Sequence, residues 1–579
     1  MEIKIAEKGG FCWGVRRAMD IAMDTSQELH DTLYTYGPII HNPQVIDMLE
    51  GKNVKVAEEL ENLENKTLII RTHGITPEKR REIKEKNIHI KDATCPLVMR
   101  VQSIIKKYAR KGYHTIIIGD PRHAEIIGLI GFAEGKGVVV SSVEDVEKLP
   151  CMDPVCVVSQ TTLDRRKYQM LGEKIKEKFP HCVMENTICD ATDERQTEVR
   201  KLAGEVDAMI VVGGRNSANT THLAEISKST GIPTFMVETE EEIDLDTMMK
   251  FTVIGVAAGA STPNWMIRRV VAKLEQIKLR KMDWLVRGLA RFSGFLVMSN
   301  IFVALGAAFM TSAASMIMGI DPSTELEVLS FLYFLSMYIL NSFTDQEVIR
   351  YNDPMKDHFN SRHKGELLIV GAVSALVALG IALSKGIVSF VLLLGASALG
   401  ILYSIKMIPN FFDRPVKFIR LKDIPSSKDL SVSMAWCVAT VLIPFFSAKN
   451  PTPDYYSLAT ALLFVFILVY IRCLLYDVRD IQGDRMVGRE TIPILIGKEK
   501  TKVMLFILAG LLAATLLVSG SMHWTSSISF ILLLSVAYSC SYLLLYKKRI
   551  IAQGFGCEML VDGNFIFTGF IAFLWNTYN

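Results

Sequence analysis

Net charge is nearly absent from this chain: 64 Lys and Arg against 61 Asp and Glu leave +3 over 579 residues. No excess of one sign therefore points to nucleic acid as a partner. The N-terminal stretch Met1 to Lys8 also lacks the apolar run that a secretory signal peptide requires. The expectation is that the soluble part of the chain stays in the cytoplasm. Disulfides are rare in such a reducing compartment, so the ten cysteines do not read as a disulfide set. Some should hold a metal or cluster, and most of the rest should be small core residues. Long apolar segments are missing up to about residue 285 and recur from there to the end. That division, in a chain too long for one compact domain, predicts a soluble domain over 1–281 and a membrane domain over 282–579.

Crossing a bilayer takes roughly 17–25 apolar residues in a helix. Nine stretches qualify, at about 293–318, 325–342, 366–384, 386–404, 430–447, 456–476, 501–520, 524–545 and 558–576. Lys and Arg crowd alternate connections: Lys278 to Arg291 before the first, Arg350 to Lys364 after the second, Lys406 to Lys428 after the fourth, Arg479 to Lys500 after the sixth, and Lys547 to Arg549 after the eighth. The intervening connections have almost none. Basic residues stay on the cytoplasmic side, so the soluble half is expected in the cytoplasm, attached to a multi-pass domain of the inner (cytoplasmic) membrane. The basic stretch Lys273 to Arg291 reads as linker and membrane-surface anchor in one.

Two acidic clusters fall at cytoplasmic ends of these spans. Asp477, Asp480 and Asp484 are spaced i, i+3, i+7, which puts three carboxylates along one helix face. Unpaired, they would repel; a divalent cation such as Mg²⁺, which shares oxygen ligands with substrate phosphates, would bridge them. The other cluster holds Asn341, Asp345 and Glu347, then Arg350, Asn352 and Asp353. Each alone is equally a solvated helix end; two on one side favour function. With the nine spans and the stretch Leu421-Lys422-Asp423-Ile424-Pro425 before Lys428 and Trp436, these motifs resemble the UbiA family of membrane prenyltransferases over about 285–579. The second motif, continued by Arg485, Gly488, Thr491, Pro493 and Gly497, follows the family pattern. The first departs from it, with Ser342 and Ile349 where the family usually has acids. The resemblance implies Mg²⁺-dependent transfer of a prenyl group from its diphosphate to a lipid-soluble acceptor, with Asn341, Asp345, Asp477, Asp480 and Asp484 holding metal and diphosphate.

In the first half, short apolar runs such as Thr67 to Ile70, Thr115 to Ile118, Ala208 to Val212 and Thr252 to Val256 alternate with helical patterns. This predicts an α/β fold of parallel sheets covered by helices. Cys12, Cys95 and Cys189 each precede a helical run, 83 and 94 residues apart. Helix starts favour thiolate through backbone N–H groups and the helix dipole. The spacing suggests three similar units, each giving one thiolate to a common centre. A cubane cluster on three cysteines keeps one iron open for substrate. Three buried core cysteines, or a Cys₃ zinc site with water, fit the spacing as well.

Polar residues gather at other strand ends: His41, Asn42, Thr72, His73, Gly74, His123, Glu125, Gln160, Thr161, the run Gly213 to Thr220, and the run Ala258 to Pro263. Donor-rich loops at helix starts make anion sites, and several together would hold a diphosphate. Together with the cysteines they resemble the LytB/IspH family of 4-hydroxy-3-methylbut-2-enyl diphosphate reductases over about 1–280. The resemblance implies three parallel-sheet units around a 4Fe–4S cluster on Cys12, Cys95 and Cys189. It places His41, His73, His123, Ser217, Asn219 and Ser261 on the diphosphate, and Glu125 and Thr161 on proton delivery. It further implies reductive dehydroxylation to isopentenyl and dimethylallyl diphosphate in the non-mevalonate pathway, with an external donor such as ferredoxin or flavodoxin. Departures are Ala124 for a usual Pro and Ala218 for a Ser of some members.

Two rival readings apply to the whole chain. One is a reductase whose membrane half has lost catalysis and serves as an anchor. The other is a cation-coupled transporter with an attached redox sensor, which should carry polar residues deep within its spans. The acids recognised above lie at the span ends, which favours a diphosphate site.

Overall fold

The computed structural model describes residues 1–29, 31–281, 283–404, 427–448, 454–486, 489, 491–547 and 555–578. Lys406, Arg414, Lys417, Arg420, the stretch Leu421 to Pro425, Gly488, Lys548 and Arg549 lie outside the described residues. The chain forms two compact units, Met1–Lys281 and Met282–Asn579.

Twelve strands build the first unit: β1 (Glu2–Ile5), β2 (Leu33–Tyr36), β3 (Val54–Ala57), β4 (Thr67–Ile70), β5 (His89–Asp92), β6 (His114–Ile118), β7 (Gly137–Val140), β8 (Val155–Ser159), β9 (Val183–Met184), β10 (Ala208–Val212), β11 (Thr234–Val237) and β12 (Val253–Ala258). They pair in parallel as three four-stranded sheets, β1-β12-β10-β11, β3-β2-β4-β5 and β7-β6-β8-β9. All three share one order. The first strand of each set lies inside, the second outside it, and the third and fourth follow on the other flank. In the sheet that closes the unit, the N-terminal strand β1 takes the fourth place.

Inner strands are covered on both faces and are correspondingly apolar. Every residue of β8 and β10 is buried, as are Leu68 to Ile70 of β4 and Thr115 to Ile118 of β6. Edge strands are shorter or more polar: β5 reads His-Ile-Lys-Asp, and β9 is two residues long. Each sheet reverses its strand order between two inner strands: β2 and β4, β6 and β8, β10 and β12. Crevices open beyond the carboxyl ends of strands at such reversals.

The second unit is helical. Among its described residues, seven helices are long and apolar enough to cross a membrane, and a bent pair makes an eighth candidate. A shorter apolar helix, Ile387–Tyr403, falls on the expected 386–404 segment. The segment expected as one span at 293–318 is broken. Trp284–Met298 and Ile301–Ile317 meet at 73°, because Asn300 takes the left-handed backbone conformation (φ 64°) that Asn tolerates better than most residues. The helix expected at 456–476 runs on to Met486, so Asp477, Asp480 and Asp484 ride on one continuous element. Small residues bring helices close. A Cβ on Gly569 would lie 2.5 Å from the Phe309 backbone, so Ile301–Ile317 and Phe555–Tyr578 touch nearly main chain to main chain.

Candidate functional site

The loops of the three reversals carry the polar residues singled out in the sequence. His41 follows β2 and His73 follows β4; His123 follows β6 and Thr161 follows β8; Ser217 and Asn219 follow β10, and Ser261 follows β12. The rings of His41 and His73 are 4.9 Å apart, those of His73 and His123 5.3 Å, and those of His41 and His123 6.3 Å. Ser261 Oγ lies 3.3 Å from both the His41 carbonyl and Ser217 Oγ. Asn42 caps the helix Pro43–Glu50 through its Oδ1 and donates from Nδ2 to the Ser261 carbonyl at 3.1 Å, pinning the His41 loop to the β12 loop.

Burial holds all three imidazoles neutral. It lowers His41, assisted by the charge of Arg71, lowers His73 well below its ordinary value, and takes His123 down to about 4. His123 Nδ1 accepts the Glu125 N–H at 3.2 Å, which leaves its Nε2 as the protonated nitrogen. The same burial acts on Glu125 with opposite sign. The side chain is 1% exposed, and its carboxyl is pushed up to about 7 although the Thr161 N–H and Oγ donate to it at 2.7 and 2.8 Å. His73 Nδ1 and both amide atoms of Asn219 are buried without any hydrogen-bond partner in the chain. Orphaned polar atoms are costly when buried; of these, Asn219 Nδ2 and a protonated His73 Nδ1 are donors that an anion could satisfy, whereas Asn219 Oδ1 is an acceptor.

The cysteines come from sheet edges. Cys12 follows β1, Cys95 follows β5 and Cys189 follows β9; each is the residue preceding its helix, Trp13–Glu28, Pro96–Arg110 and Asp190–Ala203. The parallel ladder resumes beyond each strand pair in the same way. The Cys12 N–H donates to the Ala260 carbonyl at 3.1 Å, that of Cys95 to Thr72 at 2.9 Å, and that of Cys189 to Thr161 at 2.9 Å. Every cysteine is thus one rung from a polar loop: Ala260 precedes Ser261, Thr72 precedes His73, and Thr161 is itself the partner of Glu125.

Contacts across the sheets draw the three together. Arg17 donates to the carbonyls of Thr94 and Asp92, tying the Cys12 helix to the Cys95 loop. Cys95 Sγ packs where a Cβ on Gly14 would come within 2.6 Å, so only glycine fits there. The expectation that helix starts favour thiolate is corrected here. Backbone N–H groups do lower Cys95 and Cys189, but desolvation is larger and raises both thiols, with neighbouring cysteine thiols adding to it. Nearby positive charge comes from Arg195, 7% exposed, on which Cys12 and Cys189 act most strongly among the ionisable groups around it. Soft sulfur donors at three helix starts beside a buried cation suit a group that keeps them ionised. Among the described residues, no three His, Cys, Asp or Glu side chains converge closely enough to share one metal ion.

In the second unit the expected acids are brought to one region but engaged by bases. Asp345 pairs with Arg489, Asp480 with Arg479, and Asp477 lies 3.8 Å from Lys428 Nζ. Asp484 accepts from Asn352 Nδ2 at 3.2 Å. Asn341 ends the helix Thr324–Thr344, its carbonyl accepting the Asp345 N–H. Asp353, the last acid of the first cluster, caps the helix Pro354–Arg362.

Three features escaped the sequence reading. Asp429, 0% exposed, presents two carboxylate oxygens with no hydrogen-bond donor and faces the Asp477 carboxyl. It stands next to the recognised Lys428, the one signal available. Arg472 and Asp562 form a bidentate pair inside two spans, joined by the hydroxyls of Tyr338 and Tyr476. Polar residues therefore do lie deep in the spans, but closed on each other. Arg195 reads in sequence as one charge among several on an ordinary helix.

Comparison with known proteins separates the units. Residues 3–275 match the LytB protein family and residues 309–553 the UbiA prenyltransferase family. Over 289 residues the chain is 40% identical to 4-hydroxy-3-methylbut-2-enyl diphosphate reductase of Opitutus terrae, covering 48% of this chain and 100% of that protein. It is 43% identical over 282 residues to the protein of that name from Caldanaerobacter subterraneus, covering 48% and 98%. A solved structure of a UbiA homolog from Archaeoglobus fulgidus bound to DMAPP and Mg²⁺ is similar at 18% identity and a TM-score of 0.35, covering 48% of this chain and 98% of that one.

Proposed function

The chain belongs to the LytB family through its first unit and carries a UbiA-like second unit; on that premise we propose that it is a membrane-held 4-hydroxy-3-methylbut-2-enyl diphosphate reductase. Residues 1–281 form the reductase domain, on the cytoplasmic face of the inner membrane. The observation that carries this reading is the repeated rung: each cysteine is hydrogen-bonded through its N–H to the loop that supplies an anion-binding or proton-holding side chain. Redox centre and anion pocket are thereby built as two faces of one floor.

Cys12, Cys95 and Cys189 would hold a 4Fe–4S cluster, which when bound supplies electrons and an iron without a protein ligand. Three thiolates leave one iron of a cubane open to substrate, and relatives 40% and 43% identical over this unit carry the reductase name, which favours the cluster over zinc. His41, His73 and His123, with Ser217, Asn219 and Ser261, bind the diphosphate as hydrogen-bond donors. His123 presents Nε2–H, and the orphaned His73 Nδ1 and Asn219 Nδ2 can donate to the diphosphate as well. Glu125 holds a proton at about neutral pH, with Thr161 against its carboxyl to orient it. Overall the C–O bond of the allylic alcohol breaks, two electrons and two protons are consumed, and the oxygen leaves as water. An external donor such as ferredoxin or flavodoxin provides the electrons. Products are isopentenyl and dimethylallyl diphosphate.

The test is anaerobic purification of the full chain, with iron and sulfide analysis and turnover of the hydroxylated allylic diphosphate by reduced viologen. Cluster together with both C5 products is expected. An intact cluster with no turnover of that substrate would overturn the reading.

For residues 282–579 the proposal is a Mg²⁺-dependent prenyltransferase that acts on a lipid-soluble acceptor, using Asn341, Asp345, Asp477, Asp480 and Asp484. The hard oxygen donors along one helix suit Mg²⁺ and a diphosphate. The engagement of Asp345 by Arg489 favours a second reading, an anchor without catalysis. Release of pyrophosphate from prenyl donors only in the presence of Mg²⁺ decides for the enzyme; none with any donor decides for the anchor.

A further inference from the structure

Arg195 is a buried cation without a carboxylate. Its helix starts at Asp190, just after Cys189. Nη1 donates to the Ala191 carbonyl at 3.2 Å and Nη2 to the Gly10 carbonyl at 2.7 Å, while Nε has no acceptor. One guanidinium therefore bridges the residue two before Cys12 to the residue two after Cys189. The acids near it are occupied elsewhere: Glu194 pairs with Lys8 at 2.8 Å, and Glu198 accepts the N–H groups of Glu7 and Lys8. No ion pair joins either of them to Arg195 among the described residues. The ionisable groups that act on it most strongly are those of Cys12 and Cys189.

A buried guanidinium that lacks an anion costs several kcal/mol, and neutral thiols do not repay it. Negative charge at the cysteines does. Reduction of a cluster by one electron adds one negative charge and no atom, so a fixed cation beside it favours the reduced form. Net charge and hydrogen bonds near the sulfurs are what set such potentials.

We propose that Arg195 is a positioning residue that raises the reduction potential of the cluster at Cys12, Cys95 and Cys189 by its charge, while its two carbonyl contacts hold the Cys12 loop against the Cys189 helix. This rests on the cluster reading above. The experiment is a redox titration of the full-length chain under anaerobic conditions, followed by electron paramagnetic resonance, with iron and sulfide measured on each sample. Arg195→Gln keeps donors and removes the charge; Arg195→Lys keeps the charge. The Gln variant is expected to retain its cluster and to show a reduced-to-oxidised ratio about tenfold lower at a given potential, about 59 mV for one electron. The Lys variant should titrate near the unsubstituted chain. A fully loaded Gln variant with unchanged potential overturns the proposal, as does a Lys variant shifted equally far. If Gln loses the cluster, a loaded Lys variant with the original potential supports the charge, and loss in both overturns it. Absence of iron and sulfide from the unsubstituted chain would instead remove the cluster reading itself.

Discussion

The two units treat buried charge in opposite ways. In the first, His73, Asn219 and Arg195 keep atoms with no partner inside the chain, and Glu125 is buried with only Thr161. In the second, Arg472 closes on Asp562, Arg479 on Asp480 and Glu558, and Arg489 on Asp345. In the first, the scaffold leaves these polar atoms unsatisfied, which on the proposed reading a charged ligand would satisfy. In the second, Asp345 and Asp480 are already paired with arginines, so on the proposed reading a cation would have to compete with those arginines for the same carboxylates. Helices facing lipid bear orphaned polar atoms poorly, since each unsatisfied group there costs several kcal/mol. The second unit is not free of such atoms: Asp429, Asp357, Asn360 and Thr491 keep buried polar atoms with no hydrogen-bond partner among the described residues, and of these Asp429 lies beside Asp477.

The sharpest way to break this contrast is at the cysteines. Replacing any one of Cys12, Cys95 or Cys189 by Ser should abolish the cluster, read as loss of iron, visible absorbance and all reductase turnover. Retention of cluster in any single variant would remove that residue from the centre. Next in size is Glu125→Gln, expected to lower turnover by roughly 10²–10⁴-fold with the cluster intact. Because the acid form delivers the proton and its carboxyl titrates at about 7, kcat/KM of the unsubstituted chain should fall as pH rises through that value. The Gln variant should lack this limb.

In the second unit the effects should be smaller. Asp429→Asn removes the open carboxylate beside Asp477. Mn²⁺ affinity of the full chain, followed by magnetic resonance, should weaken by roughly 10–100-fold, as for groups that support metal ligands. Equal affinity would mean that Asp429 and Asp477 share only a proton. Smallest is Arg489→Gln, which frees Asp345. If pairing masks the metal site, Mn²⁺ should bind roughly threefold tighter, the scale of one partly screened ion pair. Unchanged or weaker binding would show that Asp345 is no ligand.

What could be read from sequence followed burial. Inner strands such as Thr67 to Ile70 and Ala208 to Val212 are apolar because both faces are covered, and the membrane spans are apolar because lipid surrounds them. Edge strands β5 and β9, polar or two residues long, carry no such pattern, although they are what deliver Cys95 and Cys189. The break at Asn300 was hidden because both arms of that segment are apolar. Arg472 and Asp562 were missed because they are 90 residues apart and look like isolated charges until the helices meet.

By itself, then, the sequence determined the elements and the chemical inventory: apolar runs, helix starts, three thiols, and polar loops of recognisable type. Those are local properties, set by side-chain hydropathy and by backbone preferences over a few residues. Tertiary structure alone decided which charges are paired and which are left open. Burial turns the histidines neutral, raises Glu125, overrides the helix starts at Cys95 and Cys189, and leaves Arg195 Nε and both Asp429 carboxylate oxygens without hydrogen-bond partners. The physical reason is that desolvation and Coulomb energy depend on distances through space, and the partners come from elements far apart along the chain.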